Sequence, residues 1–479
     1  MLSSLLLPIQ AFRPAYLPLL LVYFAYGALG LIDVTRDVWI KQVLSLTPAE
    51  LAGITVWLTL PWTVKMVFGQ LVDSVPIFGS QRRAYIVIGA AFTAAGIIVL
   101  AGAAGGWIAF LPPDGLYVLG ALLIVVGSVI QDVVADAMSA EVVPRVDAAG
   151  NPRPDAEVKA DLGMVQLLGR LSLSIGILAV AGASGWLASV YSRETVFLLG
   201  LIVPAISLAG VLLIRSEQSQ PQPLDWRILG GGAAFGLAVV SLGLGVPYAQ
   251  ELIFVLSMAV IGTMLVLVTH DLPAETRRAI LFTTIIIFAF RATPTVGDGY
   301  FWWTLDVLKF DEAFYGTLRQ GSAFIAILAM WLLSKQLTEY SVTRTLLWLT
   351  IIGAILSVPN IALFYGLHHW TEEQFGFGAR TIAIIDAAAA SPFAQLSLIP
   401  LLTLIAYYAP PARRATWFAL MASLMNLALV AGQLQTKYLN QLFTVGRGDY
   451  GELGVLLVIV AVVSFALPLA AIALFGRRI

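Results

Sequence analysis

The chain has 479 residues, 59% hydrophobic and only 11% charged, with 27 Lys and Arg against 28 Asp and Glu. A soluble domain carries about 25% charged residues, so this composition excludes a large water-facing surface, a disordered chain and a basic nucleic-acid binder. The absence of cysteine excludes disulfides, thiolate metal sites and Cys nucleophiles. The mean hydropathy of +0.90 fits a polytopic, all-α membrane protein instead.

Apolar segments long enough to span a bilayer fall at about 16–39, 49–72, 84–104, 115–141, 161–186 and 193–214. A polar linker, Arg215 to Arg227, follows. Further segments lie at about 228–247, 250–270, 279–303, 312–335, 343–366, 382–409, 413–437 and 452–476. Residues 228–270 are too many for one span, and Val246-Pro247-Tyr248 marks a turn, so this stretch reads as a helical hairpin. The expected organisation is about fourteen spans: a six-helix half over 1–215, a linker with an extra hairpin over 216–278, and a second six-helix half over 279–479.

Cytoplasmic loops retain Lys and Arg. With the N-terminus inside, sixteen of the 27 basic residues fall on the inner side, six on the outer side and five within spans. Both termini are therefore expected in the cytoplasm, and the first span, which lacks a basic leader region or cleavage site, is expected to remain as an anchor. A short repeat supports duplication. Val43 to Gly53, containing Thr47-Pro48-Ala49-Glu50, resembles Val307 to Gly316, containing Asp311-Glu312-Ala313, and each copy follows an aspartate-bearing helix. Duplicated halves of this kind place a transport site near the midplane.

Ionisable side chains in hydrocarbon are costly and mark functional candidates. Asp33, Arg36 and Asp37 share one face of the first span, suited either to substrate and proton duty or to an interfacial ion cluster. Asp132 and Asp136 are one turn apart in the fourth span, as a proton relay would require, though Glu141 and Arg145 nearby also allow a charged helix end. Arg170 sits deep in the fifth span between Gln166 and Ser174 and calls for a carboxylate or an anion. Arg291 and Asp298 are seven residues apart in the ninth span, on one face of a continuous helix, but Pro294 and Gly297 favour a local break there. Arg319 and Asp386 are further charges within spans, and Asn426 is an amide of the kind that joins helices. Tyr300, Phe301, Trp302 and Trp303 can stack on a flat ligand or form an interfacial belt. No grouping has metal-ligand or catalytic-triad spacing, so neither enzymatic activity nor a cofactor is expected.

Between the second and third spans the chain reads Pro61-Trp62-Thr63-Val64-Lys65, then Gly69-Gln70-Leu71-Val72-Asp73 and, after Val75-Pro76-Ile77-Phe78-Gly79, the pair Arg82-Arg83. This resembles the signature loop of the major facilitator superfamily, in the lengthened form of the folate–biopterin transporters. Gln131-Asp132 with Asp136 and Glu141, and Pro410-Pro411 followed by Thr416-Trp417-Phe418 and Asn426, resemble the same family. The fourth-span motif is also similar to that of muropeptide permeases and acetyl-coenzyme-A transporters.

The resemblance implies a twelve-helix core, here with the added hairpin, working by alternating access as a proton symporter for pterin-like solutes in a bacterial inner membrane or its equivalent. It makes Asp73, Arg82 and Arg83 gating residues, and Lys65, Asp132 and Asp136 cavity or coupling candidates. For a folate, with its carboxylate tail and flat ring, Arg170 and Arg291 are the expected anion contacts and Trp302 an aromatic cover. Arg36 and Asp298 are further substrate candidates, with Asp298 either holding Arg291 in the empty state or pairing with the pterin's donor edge, and Asp33 joins the proton candidates. The expected partners are a small organic anion, protons and the lipid bilayer, with no nucleic acid. A muropeptide or nucleotide-conjugate permease is the alternative within transport. A non-transporting assembly factor, with a protein partner in a membrane complex, is the alternative outside it.

Overall fold

A computed structural model describes residues 12–144, 146–147, 150–214, 226–270, 272–339, 342–396 and 414–476. Among these residues the chain is helical throughout, with two isolated β-bridges and no strand. The helices are α1 Pro14–Val43, with a 3-10 stretch at Leu29–Ile32, then α2 Pro48–Thr63, α3 Lys65–Ser74, α4 Arg83–Gly105, α5 Pro113–Glu141, α6 Asp155–Val190 and α7 Arg193–Leu212. After the linker come α8 Trp226–Gly245, α9 Ala249–Thr269, α10 Ala274–Arg291, α11 Asp298–Asp306 and α12 Glu312–Glu339. The chain closes with α13 Val342–Phe364, α14 Leu367–Phe375, α15 Ala379–Leu396, α16 Arg414–Leu442 and α17 Leu453–Phe475.

Eight of these helices are long and apolar enough to cross a membrane: α1, α4, α5, α6, α7, α9, α13 and α17, in whole or over most of their length. Many large apolar side chains point outward, including Leu212 at 86% exposure and Ile355 at 62%. A soluble protein would not display so much apolar surface, whereas hydrocarbon accepts it. The chain is an integral membrane protein.

Residues cluster into two compact units. The first comprises Met1–Leu44, Val67–Gly231 and Tyr315–Gln320, and the second Ser45–Met66, Gly232–Phe314 and Gly321–Ile479. In the first unit α4 and α5 approach through glycines. A Cβ on Gly127 would lie 2.5 Å from the Gly89 carbonyl oxygen, and Gly96 faces Gly120 one heptad along. Such small-residue contacts let backbones pack closely where lipid supplies no hydrophobic drive. Trp39 anchors the same unit, edge-on to Phe197 at 5.8 Å and to Tyr117 at 6.3 Å.

The second unit is built on the packing of α2 and α16, with Val56, Ile287, Leu346 and Met421 in its core. Pro61 interrupts the end of α2, and Asn426 on α16 donates to the Trp62 carbonyl at 3.1 Å, joining the helices as its amide character suggests. The two repeat copies both start helices. Thr47 and Glu50 form a capping box on α2, and Asp311 accepts from the Phe314 backbone N–H at 2.8 Å before α12. Between α13 and α15 a short amphipathic helix, α14, stands where the sequence reading placed only a loop.

Candidate functional site

Four charges in the first unit close into a ring. Arg36 reaches Asp33 Oδ1 at 2.9 Å and Asp37 Oδ1 at 2.8 Å. The other oxygen of each carboxylate takes Arg319 from the start of α12, Asp33 Oδ2 at 3.1 Å and Asp37 Oδ2 at 2.8 Å. Each aspartate therefore bridges two guanidiniums, and the ring is neutral as a whole. The sequence places Asp33 and Arg36 together on one face, and the contact adds Arg319, 286 residues from Asp33. In this conformation Arg36 is held by two carboxylates, and Asp33 lies between two guanidiniums.

A second group in the same unit surrounds Tyr23. Its hydroxyl donates to Asp136 Oδ1 at 2.8 Å, and the ring lies within electrostatic range of Asp132 and Arg170. Gly169, next to Arg170, leaves room for the ring, because a Cβ there would lie 2.8 Å from Tyr23 Cε2. Asp132 lines a cavity of about 10 Å³ with Tyr23, Tyr26, Ser128, Gln131 and Ser207. Asp136 and Arg170 are exposed. Arg170 makes no ion pair among the described residues, so this group holds an available cation beside two carboxylates and a phenol.

Two arginines of the signature loop are tied to helix ends. Arg82, 6% exposed, pairs with Glu141 at the end of α5, its Nε 3.1 Å from Oε2. Arg83 donates to the Ile214 carbonyl just beyond α7, satisfying a helix-end acceptor. The inserted Val75–Gly79 stretch folds back at a tight turn, with Ile77 and Ser80 bridged and Phe78 and Gly79 both at positive φ. Lys65 opens α3 and has interaction partners of its own. The side chain of Asp73 lies outside the described residues, as do Gln166, Arg145 and Pro410-Pro411.

In the second unit the expected helix break is present. α10 ends at Arg291, residues 292–297 are non-helical, and α11 begins at Asp298 after Gly297 at φ +78°. Helices α16 and α17 satisfy the freed backbone: Gln435 donates to the Ala292 carbonyl at 2.5 Å, and Asn440 to Val296 at 3.1 Å. Thr436 Oγ1 accepts from Thr295 N–H at 2.9 Å, and Ser464 donates to Pro294 at 3.3 Å. The break removes the helical register that would have aligned Arg291 with Asp298. Arg291 makes no ion pair among the described residues, its Nε is buried without an acceptor, and the expected internal pair with Asp298 is not formed. Trp302 is 1% exposed, with Arg447 over its ring at 5.1 Å, so it is a core aromatic in this conformation rather than a ligand-stacking face.

The sequence reading missed several polar contacts. Tyr300 donates to Asn360 Oδ1 at 2.7 Å, and Asn360 donates to Asp386 Oδ2 at 3.1 Å. Lys437 binds Glu251 at 2.7 Å and Gln250 at 2.9 Å, and Gln250 donates to the Gly53 carbonyl at 3.0 Å, tying the second hairpin helix to α16 and α2. Residues lying on different helices carry no spacing signal, and only the presence of polar groups in apolar segments could have flagged them. Outside the spans, Asp311 has its carboxyl held below the usual aspartate range, first by the Phe314 N–H and then by Arg380 at 2.7 Å.

Comparison with known proteins agrees with this picture. The folate-biopterin transporter of Synechocystis is 27% identical over 467 residues, covering 95% of this chain and 80% of its own. A probable folate-biopterin transporter of Arabidopsis thaliana is 24% identical, covering 93% of this chain and 92% of its own. Among solved structures, a POT family transporter crystallised with a thioalcohol-conjugated peptide superposes with a TM-score of 0.68 at 14% identity, over 98% of this chain and 99% of that one. The fold is therefore shared with the POT family transporter. A family model matches residues 27–479, and the chain belongs to the BT1 family, the folate–biopterin transporters.

Proposed function

We propose that this protein is a secondary transporter carrying a folate- or pterin-like organic anion by alternating access, in symport with protons. One observation carries the reading. Of the five basic residues within spans, Arg36 and Arg319 are neutralised by Asp33 and Asp37, and Lys65 has partners of its own. Arg170 and Arg291 make no ion pair among the described residues. Cations left unpaired in an apolar segment are expensive, and a bidentate carboxylate is the ligand that suits a guanidinium best. Each of the two arginines is then an anion-binding group, and Asp298, close in sequence to Arg291, recognises donors on the ligand.

The names of the relatives support folate or biopterin as the solute class. Asp132 and Asp136 handle protons at the water-accessible side of α5, with Asp136 held by Tyr23. The ring of Asp33, Arg36, Asp37 and Arg319 is a closing contact that separates when the transporter changes state, and Asp73, Arg82 and Arg83 are gating residues of the signature loop. In this reading the halves 1–215 and 279–479 flank the hairpin region 216–278, and both termini face the cytoplasm across a bacterial inner membrane or its equivalent.

Thermal shift of the purified protein against folates, pterins, nucleotides and muropeptides at two pH values tests the substrate class. A ligand at about 100 times its Kd stabilises by about 2.7 kcal/mol. The expected result is stabilisation by folates or pterins that depends on pH. Stabilisation by nucleotides or muropeptides alone would overturn the assignment.

A further inference from the structure

We propose that Asp386 is a proton-binding group of the transport cycle, neutral in the conformation described here, with Asn360 and Tyr300 as its positioning residues. The inference rests on the transport reading above and adds a carrier to it.

Asp386 lies midway along α15. One of its oxygens, Oδ2, accepts a single hydrogen bond from Asn360 Nδ2 at 3.1 Å. The other, Oδ1, is buried and meets no donor. Among the described residues no cation pairs with it. The titratable groups on the helices around it are few. Arg380, on its own helix, pairs with Asp311 at 2.7 Å. α13 carries Arg344, sixteen residues before Asn360 and so about four turns away. α14 carries His368, His369, Glu372 and Glu373, and α11 carries Asp298, Tyr300 and Asp306. Of all these only Tyr300 is linked to Asp386, through Asn360.

An ionised carboxylate offers about four acceptor sites, and here one is filled. Burying a charge without a counter-ion is far more costly than burying a neutral acid with one unmet hydrogen bond. A proton on Oδ1 is therefore the form that the surroundings accept. The direction of the hydrogen-bond chain agrees: Tyr300 donates to the Asn360 carbonyl, which leaves the Asn360 amide to donate to Oδ2. Tyr300 is two residues beyond Asp298, at the start of the helix that follows the break. Movement of α11 when ligand binds near Arg291 and Asp298 would pull on Asn360, expose Oδ1 to water and release its proton. Asp136, by contrast, is exposed and already accepts a bond from Tyr23.

Two measurements test this. Infrared difference spectra of the purified protein between acid and alkaline pH should show a protonated carboxyl band that Asp386→Asn abolishes. In Asn360→Leu the band should persist with a shifted midpoint pH. This readout does not depend on knowing the solute. A band unchanged in Asp386→Asn would overturn the proposal even if folate transport is confirmed. In proteoliposomes, Asp386→Asn should lose accumulation driven by a proton gradient by roughly tenfold or more, within the range of coupling energies, while exchange of labelled for unlabelled folate continues. Gradient-driven accumulation equal to wild type would contradict the assignment, and so would loss of exchange and accumulation together at unchanged Tm. Failure of the wild-type protein to move any folate or pterin would instead count against the transport reading, and the infrared result would stand on its own.

Discussion

A guanidinium within a span persists where a carboxylate, a backbone carbonyl or a ligand answers its charge, and this chain shows both the answered and the unanswered case. Arg36 and Arg319 share two aspartates, with side chains that are 22–35% exposed across the ring. At that exposure water still screens the charges, so the coupling is smaller than that of a fully buried pair. A double-mutant cycle on Asp37→Asn and Arg319→Gln, followed by thermal unfolding, should give an interaction energy on the order of 1 kcal/mol. A value indistinguishable from zero would remove the ring as a structural contact. The local half of the ring was legible from the spacing of Asp33, Arg36 and Asp37. Arg319 was visible only as a charge in an apolar segment, because its partners lie more than 280 residues away. Trp302, which aromatic character suits to either ligand contact or an interfacial belt, is buried in this conformation with Arg447 over its ring.

At the scale of helices, the spacing of small residues determines which pairs approach most closely. Gly89 and Gly96 on α4 meet Gly127 and Gly120 on α5, so Gly127→Ile must push the two backbones apart. Overpacking of this kind costs about 1–3 kcal/mol, and a lowered Tm for Gly127→Ile beside an unchanged Tm for a substitution at open Gly262 is the expected pattern. The cap of α12 gives a pH prediction. The carboxyl of Asp311 is held below its usual range by the Phe314 N–H and Arg380, so its stabilising effect is complete above the unfolded value of about 3.9 and is lost as pH falls through the lowered folded value. Asp311→Asn should therefore lower stability at neutral pH and converge with the wild type at acid pH, flattening the acid side of the profile; identical profiles would exclude the effect. Element boundaries followed from local chemistry: the break after Arg291 could be read from Pro294 and Gly297. What stitches that break could not, because Gln435, Thr436 and Asn440 come from helices far along the chain. The short helix α14 escaped notice because it is too short and too polar to resemble a span.

For the whole molecule, scarcity of charge points to lipid as the solvent and makes each remaining charge within a span a candidate for function. The outward apolar side chains suit lipid, while Arg170 and Arg291, cations within spans, make no ion pair among the described residues. Fold and family were legible because the signature loop and the fourth-span motif are contiguous in sequence. The site was legible only as candidates, since sequence shows which charges are buried but not which are already paired. The most direct measurement is uptake of labelled folate into proteoliposomes by the wild type and by Arg170→Gln and Arg291→Gln at matched Tm. Losing a charge-assisted contact of about 1.5–3 kcal/mol should weaken apparent affinity roughly 10- to 100-fold in each variant. Saturable wild-type uptake that both variants reproduce unchanged, or no wild-type uptake of any folate or pterin, would contradict the account.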